Sequence, residues 1–296
     1  MRALVLPGGG GRGAYQVGVV KALREAGVTF DLAYGTSIGG INATLMAQGS
    51  YTRLEELWCQ IRSRDIFCLP SAHQIGRLVL GQKLGLLDTS PLEALLKREL
   101  DLQKLKNSAT KVGWCTTDLC SLETRLITID EVVSTSELID ALMATSAIPM
   151  AFPPRHIQGT GLWIDGGLVR NTPMETAIDL GADEIFMVLL HPQSQNNCPV
   201  NMFEIVVRLL DIVLDASARK ELEQAQLYNR LVAAGSPESI GRKNVRIRVF
   251  QPKKDVNTNL LEIDPERSRR LIRQGFEDAM EHLNANPLEM QLHPSA

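Results

Sequence analysis

Twice within its first forty residues the chain brings a short aliphatic run to an abrupt stop in glycine. Arg2-Ala3-Leu4-Val5-Leu6-Pro7 runs into Gly8-Gly9-Gly10-Gly11-Arg12-Gly13, and Phe30-Asp31-Leu32-Ala33-Tyr34 runs into Gly35-Thr36-Ser37-Ile38-Gly39. A short apolar run bounded by turn residues reads as a buried strand. Between the two turns, Val19, Ala22, Leu23 and Ala26 recur at helical spacing until Gly27 stops the helix. Ile41 to Ala47 continues from the second turn as another helix. Strand, helix, strand and helix in so short a span mean parallel strands joined by a crossover, hence an α/β fold. Both glycine turns then lie at carboxyl ends of parallel strands and face one crevice.

Further along, the spacing predicts helices over 51–61, 90–100 and 134–143 and strands over 111–117, 124–129 and 184–190. His156-Ile157 and Leu162-Trp163-Ile164 read as a hairpin around Gly159-Thr160-Gly161. Ser90-Pro91-Leu92-Glu93 and the stretch from Ser134 to Glu137 read as capping boxes, and Thr172-Pro173-Met174-Glu175 as the cap of a helix ending at Gly181. Residues 201–234 form a long helix whose first half, from Phe203 to Leu214, is apolar on most of its circumference, broken by Arg208 and Asp211; such helices are expected to be buried, a lipid-facing surface being the alternative. A strand at 245–250 and an amphipathic helix from Asp264 to Leu283 follow. Between Arg64 and Thr89 the pattern weakens, and that stretch is either two short packed helices or a mobile cover over the site. No repeat, low-complexity segment or linker interrupts the chain, so one domain is expected over 1–296, with a helix-and-strand extension over about 200–290.

At 296 residues the chain can bury a full core. Its net charge of −3, dispersed Lys and Arg, and 5% aromatic residues argue against a nucleic-acid partner. The first apolar run is too short for a signal peptide, and no stretch reaches the ~18 residues of a membrane span. Cys59, Cys68, Cys115, Cys120 and Cys198 are scattered and lack the histidine partners of a zinc site. They read as reduced, mostly core residues of a cytoplasmic protein, with no metal or cofactor expected.

The second turn has the form G-x-S-x-G. Its bounding glycines, Gly35 and Gly39, let a sharp strand-to-helix turn lift the Ser37 hydroxyl out of the backbone. By chance that pattern arises about once in ten chains of this length, so a plain helix-capping serine is the alternative. The first turn, with Gly8, Gly10 and Gly13, also fits the dinucleotide fingerprint G-x-G-x-x-G. That reading expects an acidic residue at the end of the second strand, whereas Asp31 stands at its start. The favoured reading is an oxyanion hole, in which backbone N–H groups beside a nucleophilic serine meet the negative oxygen of a tetrahedral intermediate. A base for Ser37 is offered by His191, just past a predicted strand, or by Asp165 in Asp165-Gly166-Gly167. A polar strand end is the preferred account of His191. A carboxylate in a water-poor pocket is basic enough to take a hydroxyl proton directly.

Taken together, these stretches resemble the patatin-like phospholipase family. The resemblance rests on Pro7 to Gly13 as the oxyanion loop, Gly35 to Gly39 as the nucleophile motif, and Asp165-Gly166-Gly167 as the aspartate motif. Ala144-Thr145-Ser146-Ala147-Ile148-Pro149, Phe152-Pro153-Pro154 and Asn171-Thr172-Pro173 also look similar, and the whole covers about residues 2–190. Pro7 stands where many members carry an acidic residue. The resemblance implies a three-layer α/β/α arrangement with a mainly parallel central sheet. It further implies a Ser37–Asp165 dyad without catalytic histidine, oxyanion donors from Gly9, Gly10 and Gly11, and no metal or cofactor. Arg12 would steady the loop or a substrate phosphate, or else be a solvent-exposed charge. The substrate would be a lipid or other acyl ester, met in transient contact with a membrane surface. Acyl transfer on the same intermediate, or a regulatory protein of the same fold without turnover, are the alternatives.

Overall fold

The computed structural model describes residues 1–71, 75, 76, 80, 84–191, 198–235, 243–254, 256 and 260–287. The opening unit is β1 (Arg2–Leu6), α1 (Gly13–Glu25), β2 (Leu32–Thr36) and α2 (Ile38–Ala47), as the glycine pattern predicts. Next come α3 (Tyr51–Trp58), α4 (Ser90–Glu99), α5 (Leu102–Lys106), β3 (Lys111–Asp118), β4 (Thr124–Thr128) and α6 (Thr135–Thr145). The remainder is β5 (Arg155–Ile157), β6 (Thr160–Asp165), α7 (Met174–Asp179), β7 (Glu184–Val188), α8 (Met202–Ala233), β8 (Arg246–Phe250) and α9 (Pro265–Ala285).

All the strands join one mixed sheet. β3, β2, β1, β7 and β8 lie side by side and parallel, while β4 and β6 run antiparallel to β3, and β5 pairs with β6. Side chains alternate across a strand. Accordingly Leu4 and Leu6 of β1 pack with residues of α1, α2, α3 and α9 on one face, while Ala3 and Val5 pack with residues of α7 and α8 on the other. The α/β class with a mostly parallel central sheet is therefore the one the sequence pointed to.

Several local expectations are corrected. Ser90 is not a cap: Thr89 holds that position, and the Ser90 N–H donates to Asp88 at 3.0 Å. Thr172 is not one either; Glu221 on α8 accepts from the Met174 N–H at 3.3 Å and from the Thr172 hydroxyl at 3.2 Å, serving the start of α7 from a distance. The short α5 was not expected, and Asp101 caps it through the Gln103 and Lys104 N–H groups. Of the cysteines only Cys115 is buried; Cys68, Cys120 and Cys198 are exposed. The first half of α8 is not buried all round. Val207, Asp211 and Leu214 face inward, while Met202, Ile205, Leu209, Ile212 and Val213 face outward and are exposed. The expected cover between Arg64 and Thr89 falls partly outside the described residues.

Phe186, at the centre of β7, ties the sheet to its neighbours. It meets Phe30 edge-on at 5.4 Å between centroids and stacks on Phe250 of β8 at 6.3 Å. Truncating a fully buried aromatic costs its transfer free energy plus a cavity. Phe186→Ala is therefore expected to destabilise the fold by about 3–5 kcal/mol, read as a lower urea midpoint with an unchanged slope.

Candidate active site

The edge of β3 brings two distant turns together. β2 pairs with its first part, Thr36 opposite Cys115, and β6 pairs with its last part, Asp165 opposite Thr116. Since β4 occupies the other edge of the same stretch, β2 and β6 share one edge and their carboxyl ends meet head-on. Ser37 and Asp165 are the terminal residues of that meeting. Both are buried, at 6% and 5% exposed.

Ser37 sits at φ 56° and ψ −130°, a conformation an L-residue adopts only under local constraint. The constraint is visible. Any side chain at Gly39 would put its Cβ 2.2 Å from the Leu6 carbonyl, and one at Gly35 would meet the backbone of Gly39 at 2.5 Å. The Ser37 N–H donates to the Thr145 hydroxyl at 3.0 Å, which in turn donates to the Cys115 carbonyl at 2.6 Å. Thr145, at the end of α6, thus locks the elbow to β3. Nothing local in the sequence around Thr145 marks it for that role.

Asp165 accepts from the Gly167 N–H at 2.8 Å, so the two glycines of its motif fold the backbone back onto the carboxylate. Burial pushes the Asp165 carboxyl up from its ordinary 3.8 to about 6, against the opposing hydrogen bonds from the Ser37 side chain and the Gly167 N–H. Ser37, Asp165 and Gly9 line a space of about 10 Å³ together with Ile148, Pro149, Leu168, Leu210, Leu214 and Leu260. That is close to the room one water requires. Ser37 and Gly10 also line an adjoining apolar cavity of about 60 Å³, walled by Ile38, Ile41, Phe67, Phe152 and Leu261 among others. Ser146 borders it with a hydroxyl that has no partner among the described residues.

The glycine loop is held from three sides. The Gly8 N–H donates to Asn171 Oδ1 at 2.7 Å, and the Asn171 amide donates onward to the Leu214 carbonyl of α8 at 3.1 Å. The Gly11 N–H donates to the Leu260 carbonyl at 3.0 Å. Gly10 has φ +54°, and a Cβ there would lie 1.8 Å from that same carbonyl oxygen, so only glycine fits. With Gly8 and Gly11 engaged, the N–H groups of Gly9 and Gly10 are the ones without a partner among the described residues. Asn171, like Thr145, carries no local sequence mark of its role.

Arg12 is the third anchor, and the solvent-exposed alternative for it is excluded: it is 3% exposed. Its guanidinium donates to both carboxylate oxygens of Asp211 on α8 at 2.7 Å, and one of its nitrogens lies 3.0 Å from His191 Nε2. His191 faces Arg12, Asp211 and Asp215, so its ring partners belong to the loop clamp and not to Ser37. Burial pushes the Asp211 carboxyl up, but hydrogen bonds from His191 and Arg12 and the Arg12 charge outweigh it and hold it at about 2. Among the other histidines, His156 is exposed and His282 packs against Phe250, while His73 and His293 lie outside the described residues. Asp31 accepts from the Arg2 N–H at 2.7 Å, at the end of the sheet opposite the glycine loop, which removes the acidic partner a dinucleotide would need. Among the described residues no group of three or more His, Cys, Asp or Glu could hold a metal ion, and no helix is long and apolar enough to cross a membrane.

Residues 4–178 match the family model described as patatin-like phospholipase. The chain belongs to this family. Relatives of this patatin-like chain include a lysophospholipase of Aspergillus terreus, 30% identical over 190 residues that cover 62% of this chain and 12% of the relative. A cGAMP-activated phospholipase of Escherichia coli is 29% identical over 192 residues, covering 58% of this chain and 53% of the relative. The match therefore spans about half of one relative and a small part of the other. VipD from Legionella pneumophila, a solved structure, is 15% identical with a TM-score of 0.48, covering 96% of this chain and 67% of that one.

The clamp on the loop is testable apart from any activity. Asp211→Ala strips Arg12 of its bidentate partner inside the protein and is expected to cost about 3–5 kcal/mol in urea unfolding. Because the folded Asp211 titrates below its unfolded value, its contribution is present above the unfolded value of about 4 and is lost as pH falls through about 2. The wild-type advantage over Asp211→Ala should shrink across that window.

Proposed function

We propose that this patatin-like protein is a serine acyl hydrolase that cleaves carboxylic esters of lipids with Ser37 and Asp165. The observation that carries the reading is the strained Ser37 elbow, buried against a carboxylate whose affinity for protons has been raised into the working range of a general base.

In this mechanism the acyl chain lies in the apolar cavity bordered by Ile38, Ile41 and Phe152, which brings the ester carbonyl to Ser37. The Ser37 oxygen attacks the carbonyl carbon while Asp165 takes the hydroxyl proton. The carbonyl oxygen becomes an oxyanion and is met by the N–H groups of Gly9 and Gly10. Collapse breaks the bond to the alcohol, which leaves with the proton from Asp165. A water in the small space beside Asp165 then attacks the acyl-enzyme, giving its proton to the carboxylate. The second collapse releases the carboxylic acid and returns the proton to the Ser37 oxygen. His191 takes no part, because its partners are elsewhere. Activity on phospholipids or lysophospholipids is supported by the names of the relatives.

Ser37→Ala should remain folded and lose hydrolysis of a short-chain nitrophenyl ester; turnover retained in that variant would sink the reading. His191→Ala should keep most of its activity, and a loss of ~10³-fold or more would restore a histidine base. With Asp165 titrating near 6, the rate should climb through that pH and level off above it. The same raised value means that the stability Asp165 contributes is full below 3.8 and lost as pH rises through about 6. Asp165→Asn should therefore be inactive yet melt at a higher temperature than wild type at pH 8.

A further inference from the structure

Several exposed apolar residues are sequence neighbours of the residues that line the Ser37–Asp165 space. Three of the segments that line that space place apolar residues inside it and an exposed apolar sequence neighbour outside. Pro149 lines the space and Met150 is 66% exposed; Leu168 lines it and Val169 is 59% exposed. Leu210 and Leu214 line it from α8, while Leu209 and Val213 beside them are 56% and 41% exposed. The outer side of α8 extends this rim through Met202, Ile205 and Ile212, a row at helical spacing.

Charges are kept out of this row. Between Met202 and Val213 the charged residues are Glu204, Arg208 and Asp211. Asp211 is buried on Arg12, Glu204 turns back to accept from the Val200 N–H and the Asn201 amide, and Arg208 is half-buried beside the row. Contiguous exposed apolar area rimmed in this way marks an interaction site. Its continuity with the pocket rim selects the occupant. A protein or a second copy seated there would lie across the entrance, whereas a lipid surface would deliver an acyl ester straight into it.

We propose that the outer face of α8 from Met202 to Val213, with Met150 and Val169, docks onto a phospholipid bilayer and sets the mouth of the pocket against it. This rests on the lipid-ester reading of the site. The helix is tied to the catalytic loop by Asp211 and by the Leu214 carbonyl, so the docked element and the oxyanion donors form one connected unit.

The test is co-sedimentation of the full chain with phosphatidylcholine vesicles, with and without phosphatidylglycerol. The chains compared are wild type, Ser37→Ala, the pair Leu209→Glu with Ile212→Glu, and Leu227→Glu as an exposed control farther along α8. Wild type, Ser37→Ala and Leu227→Glu should bind alike, and the double variant about tenfold or more weaker with an unchanged circular dichroism spectrum. Its ratio of vesicle to soluble-ester turnover should fall by a similar factor. Vesicle binding by the double variant equal to wild type, or none by wild type, overturns the proposal. So does equal binding accompanied by a change in elution volume, which would make the face a contact between copies. Vesicle binding by a wild type that hydrolyses no ester would instead count against the hydrolase reading and leave the docking face standing.

Discussion

One strand edge governs the site. The ladder positions Thr36–Cys115 and Asp165–Thr116 are consecutive along β3, and they convert a separation of 128 residues between Ser37 and Asp165 into a contact (165 − 37). No side-chain attraction has to draw the two turns together, because main-chain pairing, which is directional and cooperative with the whole sheet, fixes where each strand ends. Everything else at the site refines that placement. Thr145 fastens the elbow to the same strand, and the glycines at 35 and 39 let the turn close. β3 works as a ruler because it is longer than either partner, running past the end of β2 so that β6 can finish the edge from the opposite direction.

The energetics at the two buried carboxylates run in opposite senses. Asp211 is surrounded by donors, and its charge is compensated by a bidentate guanidinium, so it serves the fold. Asp165 keeps a backbone N–H and the Ser37 side chain in an otherwise apolar setting, so its charge is poorly compensated. A group in that position weakens the native state at neutral pH and, in the proposed mechanism, gains basicity in exchange. The contrast separates two aspartates of similar burial by their neighbours alone.

How much of this was legible beforehand follows from the range of the interactions. The β-α-β-α opening, the elbow and the aspartate turn depend on residues within a few positions of one another, and their glycines mark them in the sequence. The residues themselves offer both Asp165 and His191 as a base for Ser37, and only the resemblance implies the dyad, since nothing local in the chain says which strand edge two turns will share. Thr145, Asn171 and Glu221 act through single hydrogen bonds to distant backbone groups, and one threonine or asparagine looks like any other in a sequence. Arg12 could not be placed because its partner, Asp211, lies across the fold. The helix from Met202 was expected to be buried because its composition is apolar, but composition does not reveal which side has a neighbour. Helical spacing alone assigns no partner to either face.

The anchors on the glycine loop carry a consequence for what can be regarded as the portable unit. Residues 4–178 match the family, and Asn171 falls within them. Asp211, His191 and Leu260 fall outside, and they grip Arg12 and Gly11. A segment cut to the recognised boundaries would retain Ser37 and Asp165 and lose most of what shapes the amides beside them. The geometry of the loop is thus held jointly by the recognised segment, the later helix and the stretch around Leu260, so the structural unit is larger than its signature.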